Sequence, residues 1–362
     1  MKIGIIGTRG IPNYYGGFEE CAQHLSVRLT LLGHEVVVYN SHNHPCQEPQ
    51  YEGVKIIHKY DPEHRMGTVG QFVYDLNCIL DARHRQFEII LMMGYTSSSI
   101  WQRFLPPKAT IITNMDGLEW MRSKYPKRVQ MFLKNAEAWA ARGSDLLIAD
   151  SQRMREYLLK RYKTQTVYLS YGARILKKPN PEVLGRFGVK PGEYNLIMAR
   201  LEPENNIETI LDGVRQSKSN RVTLVIGNHN TEYGAKLKAR YRDSRIRFVM
   251  GTYKKERTQN LRYYSHLYFH GHTVGGTNPS LLEAMACSCL ICAHDNPFNR
   301  EVLGENGNYF LDAVDVANAL DILERNEIQK EKIRNNRERI QNFYSWKLIA
   351  EAYEVVFQQA RI

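Results

Sequence analysis

The sequence predicts two α/β domains, each a doubly wound parallel sheet with helices on its faces. Short apolar runs alternate with amphipathic helical patterns along the whole chain, the rhythm of strands crossed by helices. The rhythm breaks once, over 172–194, where proline, glycine and charge crowd together, and then restarts. The 362 residues and 43% hydrophobic content suffice for two buried cores.

In the first half, apolar runs place strands at 2–7, 35–40, 54–58, 87–94, 110–115, 145–149 and 166–170. After the first strand, Phe18, Cys21, Ala22, Leu25, Leu29 and Leu32 fall at helical spacing, and Gly33 stops the helix. In the second half, strands are expected at 195–199, 221–227, 245–250, 267–270, 290–293 and 308–311. The boundaries that follow are a first domain over 1–175, a linker over 176–193 and a second domain over 194–342. A final helix over 343–362 is expected to pack back on the first domain. Doubly wound sheets bind ligands beyond the carboxyl ends of their strands, so two such domains facing each other make a cleft with the chemistry just after strands.

Composition excludes several classes. Charged residues are 24% of the chain, which is no disordered composition. No run approaches the ~18 apolar residues of a membrane span. Met1-Lys2-Ile3-Gly4-Ile5-Ile6-Gly7 reads as a first buried strand and not as a signal segment, which makes a cytoplasmic protein the expectation. The net charge of +11 suits polyanionic or phosphorylated partners. No zinc-finger, RNP or basic-zipper pattern accompanies it, so no nucleic-acid partner is expected. Cys287, Cys289 and Cys292 form C-x-C-x-x-C, but on a helix end running into a buried strand, where small apolar thiols fit better than a metal site.

Two loops carry candidate chemistry. Gly7-Thr8-Arg9-Gly10-Ile11-Pro12-Asn13-Tyr14-Tyr15-Gly16-Gly17 follows the first strand, and Gly16 and Gly17 sit where a helix begins. Glycines let a phosphate approach backbone N–H groups at such a start, though a plain flexible turn also fits. The second strand ends Val38-Tyr39-Asn40-Ser41, without the acid a nicotinamide enzyme uses to hold ribose. In the second domain, Gly271-His272-Thr273-Val274-Gly275-Gly276-Thr277-Asn278-Pro279-Ser280 leads from a strand into Leu281-Leu282-Glu283-Ala284-Met285. Asn278 is a good N-cap and Pro279 a good first helical residue, so the positive end of the helix faces the loop and suits a diphosphate. Glu283, one turn inside, can accept ribose hydroxyls, or be a solvated surface acid. Arg200, just after the domain's first strand, can grip a diphosphate with two donors.

Ala199-Arg200-Leu201-Glu202-Pro203-Glu204 and Glu283-Ala284-Met285-Ala286 carry a resemblance to glycosyltransferase family 4, whose fold is GT-B. The family's motifs are G-R-L-x-P-E-K-G and a spaced pair of glutamates ending in E-A-M-A. The resemblance assigns Arg200 to the donor diphosphate and Glu283 to the nucleotide ribose. Two positions depart from the pattern: Asn205 replaces the lysine of the first motif, and Gly275 replaces the first glutamate. Gly275-Gly276-Thr277-Asn278-Pro279-Ser280, the loop 7–12 and Asp116-Gly117-Leu118-Glu119-Trp120 resemble a bacterial rhamnosyltransferase subset.

The resemblance implies transfer of a sugar, L-rhamnose from dTDP-rhamnose within the subset, with retention of configuration. No cofactor beyond the nucleotide-sugar substrate is implied. A nucleotide sugar held by Gly16, Gly17, Arg200, His272, Gly275, Gly276, Thr277, Asn278, Ser280 and Glu283 is the expectation. Arg200 and the N–H groups of 276–280 can stabilise the leaving diphosphate without metal, and no D-x-D motif occurs. Asp116, after the strand at 110–115, is expected either to face the donor sugar or to cap the following helix. His270 and His272 share one side of a strand, where packing or donor hydrogen bonding is favoured over metal. Trp120, Tyr125, Arg122, Lys124, Lys127, Arg128 and Lys134 lie beside a helix with Val129, Phe132, Leu133, Ala136 and Ala140 on one face. They suit a lipid-linked saccharide acceptor at an anionic membrane surface, or an ordinary amphipathic domain helix. An epimerase on the same fold and a non-catalytic binding protein are the competing readings. Turnover of a nucleotide sugar onto a separate acceptor tells them apart.

Overall fold

The computed structural model describes residues 1–122, 124–252 and 254–360. The chain forms two compact units: Met1–Met121, Tyr125–Tyr171 and Trp346–Ile362 make the first, Arg122–Lys124 and Gly172–Ser345 the second.

The first unit is built on β1 (Lys2–Ile6), β2 (Glu35–Ser41), β3 (Gln50–Tyr51), β4 (Val54–Lys59), β5 (Ile89–Met93), β6 (Thr110–Asn114), β7 (Leu146–Ala149) and β8 (Thr166–Tyr168). Their order is β3-β4-β2-β1-β5-β6-β7-β8, all parallel except β3, which runs antiparallel to β4. Central strands read as continuous apolar runs because helices cover both faces: Ile3, Ile5, Ile6, Ile89, Ile90 and Leu91 are wholly buried. The chain leaves β1 towards β2 and β4 and returns to β5 on the other side, so the strand order reverses between β1 and β5.

The second unit carries β9 (Tyr194–Met198), β10 (Val222–Gly227), β11 (Ile246–Met250), β12 (Tyr268–His270), β13 (Ile291–His294) and β14 (Asn308–Phe310). The order is β11-β10-β9-β12-β13-β14, wholly parallel, and it reverses between β9 and β12. Ile197, Val225, Leu267 and Phe269 pack in one core with Ile207, Ile210 and Leu211 from the helix Ile207–Gln216.

One boundary differs from the sequence reading. The stretch expected as a linker, 176–193, folds as part of the second unit. Pro181–Phe187 forms a 3-10 turn capped by Asn180 with Leu184 buried, and the Asn180 amide donates to Asn260 Oδ1 at 2.6 Å. Its prolines start a turn and do not loosen the chain. The terminal helical stretch is two helices, Glu327–Phe343 and Trp346–Ala360. They part at Tyr344, whose carbonyl accepts from the Ala173 amide at 2.7 Å. The last helix belongs to the first unit, where the Trp346 ring stacks on His24 with centroids 4.8 Å apart. Among the described residues no helix is long and apolar enough to cross a membrane.

One buried group in the first unit makes stability depend on pH. Asp75, on the helix Gly70–Ala82, accepts from Ser97 Oγ at 2.6 Å. Burial pushes its carboxyl up to about 7, against the pull of that hydrogen bond. A raised carboxyl favours the fold only while protonated, so its contribution is present below about 3.8 and lost as pH rises towards about 7. Asp75→Asn is therefore expected to raise the melting temperature relative to the parent more at pH 8 than at pH 5. An equal difference at both values contradicts the assignment.

Candidate functional site

In the second unit the reversal between β9 and β12 brings two loops side by side, the place where an open parallel sheet receives a ligand. The loop after β9 carries Arg200, and the loop after β12 carries 271–278. They are tied by Asn205, whose Nδ2 donates to the Arg200 carbonyl at 2.7 Å while its Oδ1 meets His272 Nδ1 at 2.9 Å. Asn206 Nδ2 adds a bond to the Gly271 carbonyl at 2.7 Å, and the Thr273 amide donates to the Glu204 carbonyl at 3.1 Å. Asn205 is thus a strut between the loops. Because its amide nitrogen already donates, its oxygen accepts, and His272 carries its proton on Nδ1. His272 is pushed down to about 4, by burial first and then by the charges of Arg122 and Arg200. It is neutral at pH 7, with Nε2 as an acceptor. His270 is buried and also pushed well below its usual range by burial, and its Nε2 has no hydrogen-bond partner among the described residues.

The helix Pro279–Ala286 starts as the sequence predicts, with Asn278 Oδ1 accepting from the Ser280 amide at 2.9 Å. Its first turn holds no acidic residue. Gly275 has φ +107°, a left-handed value that favours glycine. Gly275 and Gly276 are buried, and among the described residues neither backbone N–H meets an acceptor. Arg200 reaches outward with its side chain 64% exposed, and its Nε lies 3.9 Å from Glu202 Oε2. Burial opposes ionisation of Glu202, yet Arg200, Lys124 and Arg122 hold its carboxyl below the usual range. A positive side chain, a helix start and free glycine amides can together stabilise a diphosphate.

Ser280 and Glu283 are not equivalent. Ser280 Oγ faces inward, receiving Arg262 Nη2 at 3.0 Å and lying 2.9 Å from Tyr268 Oη. Only its backbone serves the helix start. Glu283 keeps 37% of its side chain exposed, and its Oε2 sits 2.7 Å from Arg262 Nη1. The expectation of a solvated acid therefore holds for only part of it. Arg262 has no motif around it in the sequence, and only the fold reveals its place. The helix Lys255–Tyr264 is polar along its length, so a further charge in it gives no signal.

In the first unit the helix Gly17–Leu31 begins with Gly16 extended, but Asn13 Oδ1 accepts from the Gly16 amide at 3.1 Å, and the first turn holds Glu19 and Glu20. Glu19, buried, accepts from the Arg9 amide at 3.0 Å. These carboxylates already fill the positive end of the helix and repel a second anion. Gly16 and Gly17 therefore sit in a turn whose neighbouring carboxylates do not favour an anion. Arg9 is itself occupied, with Nη2 on Glu63 Oε1 at 2.6 Å and the guanidinium 3.6 Å from the Tyr15 ring centre. Asp116 has φ +52°, and its carboxylate accepts from the buried Tyr171 hydroxyl at 3.1 Å. The turn after it, Glu119–Met121, is a 3-10 turn, so the helix that Asp116 was to cap is a single short turn.

The basic turn is divided. Arg122 is buried in the second unit, its Nη1 3.7 Å from both Glu202 and Glu204, and Lys124 Nζ donates to Glu202 at 2.8 Å. Arg122 is thereby enclosed, whereas Lys124 stays exposed within its ion pair. On the helix Lys127–Gly143, Leu133, Ala136 and Ala140 are core residues, while Val129 and Met131 are exposed. Cys287, Cys289 and Cys292 are buried, and burial pushes the Cys289 thiol up to about 12. Among the described residues no three His, Cys, Asp or Glu side chains gather as a metal site.

Solved structures share this architecture across the chain. Sucrose-phosphate synthase from Thermosynechococcus elongatus matches with a TM-score of 0.83 at 19% identity, covering 99% of this chain and 98% of that one. The HepE protein of Anabaena, solved in complex with UDP-glucose, matches with a TM-score of 0.77 at 15% identity, covering 99% and 100%. An α,α-trehalose-phosphate synthase (UDP-forming) from Burkholderia xenovorans, in complex with glucose-6-phosphate, matches with 0.72 at 10%, covering 99% and 100%. At such identities these likenesses speak for the fold. Residues 188–340, which hold Arg200, His272 and Glu283, match the family model described as glycosyl transferases group 1. The chain is a GT-B glycosyltransferase.

Residues 1–174 of this glycosyltransferase match a domain family of unknown function, DUF1972. A search of curated proteins finds no match to the chain. The glycosyltransferase depends on close backbone approach in its second unit: a Cβ on Gly271 would lie 2.0 Å from the Asn205 carbonyl oxygen. Gly271→Ala is expected to push the two loops apart, at a cost of about 1–3 kcal/mol for overpacking. Thermal unfolding should show a lower midpoint, and an unchanged midpoint contradicts the packing described.

Proposed function

We propose that the second unit binds a nucleotide sugar at the ends of β9 and β12. The enzyme then transfers the sugar, L-rhamnose from dTDP-rhamnose, to a lipid-linked saccharide in cell-surface polysaccharide synthesis, with retention of configuration. The observation that carries the reading is the acid-free start of the helix Pro279–Ala286 beside buried Gly275 and Gly276, with Arg200 on the loop tied to them through Asn205. In this reading the diphosphate lies on those amides and Arg200, which stabilise the charge that develops as the glycosidic bond breaks. Thr277 and Asn278 shape the helix start, and neutral His272 accepts a hydroxyl of the sugar through Nε2. Glu283 accepts from the free hydroxyl of the nucleoside sugar. Asp116, held by Tyr171 in the first unit, orients the donor sugar or assists the acceptor hydroxyl.

Peripheral contact with an anionic inner membrane face is part of the proposal. Exposed Val129 and Met131 next to Lys127 and Arg128 favour it, without the enclosed Arg122. A second reading keeps the reaction and replaces the donor by a UDP-hexose. The UDP-glucose bound to the HepE protein and the UDP named for the trehalose-phosphate synthase favour it. Thymidine offers Glu283 one ribose hydroxyl where uridine offers two.

Turnover of dTDP-rhamnose, UDP-glucose and GDP-linked sugars, with membrane extract as the source of lipid-linked acceptors, tests both. Rhamnose appearing in the lipid fraction with nucleotide release supports the first reading. Transfer from a UDP-sugar alone discards rhamnose. No transfer from any donor, with acceptors verified by a control enzyme, contradicts both.

A further inference from the structure

The reaction as outlined makes no use of the Arg262 guanidinium, which is enclosed in the second unit with only 4% of its side chain exposed. Its helix, Lys255–Tyr264, precedes β12 and packs against Pro279–Ala286. Nη1 lies 2.7 Å from Glu283 Oε2, and Nη2 donates to Ser280 Oγ at 3.0 Å. Ser280 Oγ lies in turn 2.9 Å from the buried Tyr268 hydroxyl. Arg262 Nε has no hydrogen-bond partner among the described residues. A buried guanidinium is costly in desolvation, and its one carboxylate partner is itself partly in water. An apolar residue would fill that space more cheaply. The arrangement instead fixes a carboxylate whose other face is open: one Glu283 oxygen is tied inward, and the rotamer freedom of an exposed glutamate is removed before any ligand arrives.

We infer that Arg262 is a positioning residue, which with Ser280 as its second anchor holds the Glu283 carboxylate in the orientation that meets a ribose hydroxyl. The inference rests on the reading that Glu283 receives the ribose. It assigns Arg262 no contact with the nucleotide. Its effect therefore passes through Glu283 and vanishes when the carboxylate is gone.

Calorimetric binding of UDP, GDP, ADP and dTDP to the full chain, with inorganic pyrophosphate as a probe lacking ribose, tests this. The variants are Glu283→Gln, Arg262→Lys, the double variant of these two, and Ser280→Ala, which keeps the charge pair and removes one anchor. Melting temperatures identify the variants that fold. For the best-bound nucleoside diphosphate, Glu283→Gln is expected to weaken binding about tenfold and Arg262→Lys about three- to tenfold. The double variant should bind no more weakly than Glu283→Gln alone, because coupled residues are non-additive. Ser280→Ala should weaken binding about two- to fivefold, and pyrophosphate should bind every variant as it binds the parent.

Parental nucleotide affinity in either Arg262→Lys or Ser280→Ala overturns the inference, as does a double variant whose losses add. Equal weakening of pyrophosphate also overturns it, because that marks a collapsed site. If Arg262→Lys does not fold, Ser280→Ala alone decides. A parent that binds no nucleoside diphosphate, or a Glu283→Gln variant that binds like the parent, removes the ribose reading and this inference with it. A Glu283→Gln effect without a Ser280 or Arg262 effect removes this inference alone.

Discussion

Arg200→Ala is expected to lower kcat/KM for the nucleotide-sugar donor by about 10²–10³-fold, the loss seen when one preorganised donor to a developing negative charge is removed. The melting temperature should stay within about 2 °C of the parent, because surface substitutions away from structural features change stability little. Both halves follow from the same geometry. The side chain is 64% exposed and its Nε stands 3.9 Å from Glu202, too loose a pair to contribute measurable stability. What holds the loop is the Arg200 carbonyl, bonded to Asn205, and alanine keeps that carbonyl. Arg200→Lys restores the charge without the two-pronged geometry and should recover only part of the rate. Steady-state kinetics beside thermal unfolding checks the pair. A parental rate in Arg200→Ala means that the side chain serves only Glu202.

Glu283→Ala is expected to reduce both donor turnover and stability, and the second effect is one the sequence does not foretell. The motif alone makes Glu283 a ligand-facing acid whose removal leaves the fold intact. The structure pairs it with buried Arg262 at 2.7 Å, so alanine leaves that guanidinium uncompensated. Breaking a buried pair costs about 3–5 kcal/mol, and water on the exposed side of Glu283 places this case at the lower end or below it. Glu283→Gln retains an acceptor for Arg262 and separates the two effects. It should recover most of the melting temperature while donor KM stays raised about tenfold. Thermal unfolding of both variants with kinetics on the glutamine variant decides. Equal melting temperatures for parent and Glu283→Ala contradict the ion pair.

Most of the fold was legible because parallel strands covered on both faces are apolar without interruption. Ile3–Ile6, Ile89–Met93 and Leu224-Val225-Ile226 stand out from their polar neighbours, and every strand expected from such runs is present within a residue or two. The two-residue β3 was not legible, since Gln50–Tyr51 offers no apolar run and pairs through its backbone with β4. Prolines misled at 176–193, where Asn180 and Pro181 start a turn that buries Leu184.

At the site, the cap formed by Asn278 and Pro279 could be read directly, because capping depends on neighbours in sequence. The strut through Asn205 and the anchor at Arg262 could not. Each acts on a partner 18 or more residues away, brought near only by the strand order, as the bonds of Asn205 to His272 and of Arg262 to Ser280 and Glu283 make plain. Around Gly16 and Gly17, composition does not reveal that Asn13 takes the Gly16 amide and Glu19 the Arg9 amide.

The central claim is that the ends of β9 and β12 hold a nucleoside diphosphate. A crystal structure of the enzyme soaked with UDP and, separately, with dTDP measures it most directly. The account predicts diphosphate oxygens within hydrogen-bond distance of Arg200 and the amides of Gly275 and Gly276, with a ribose hydroxyl on Glu283. A nucleotide bound at Gly16 and Gly17, or one in the second unit that touches neither Arg200 nor Glu283, would contradict it.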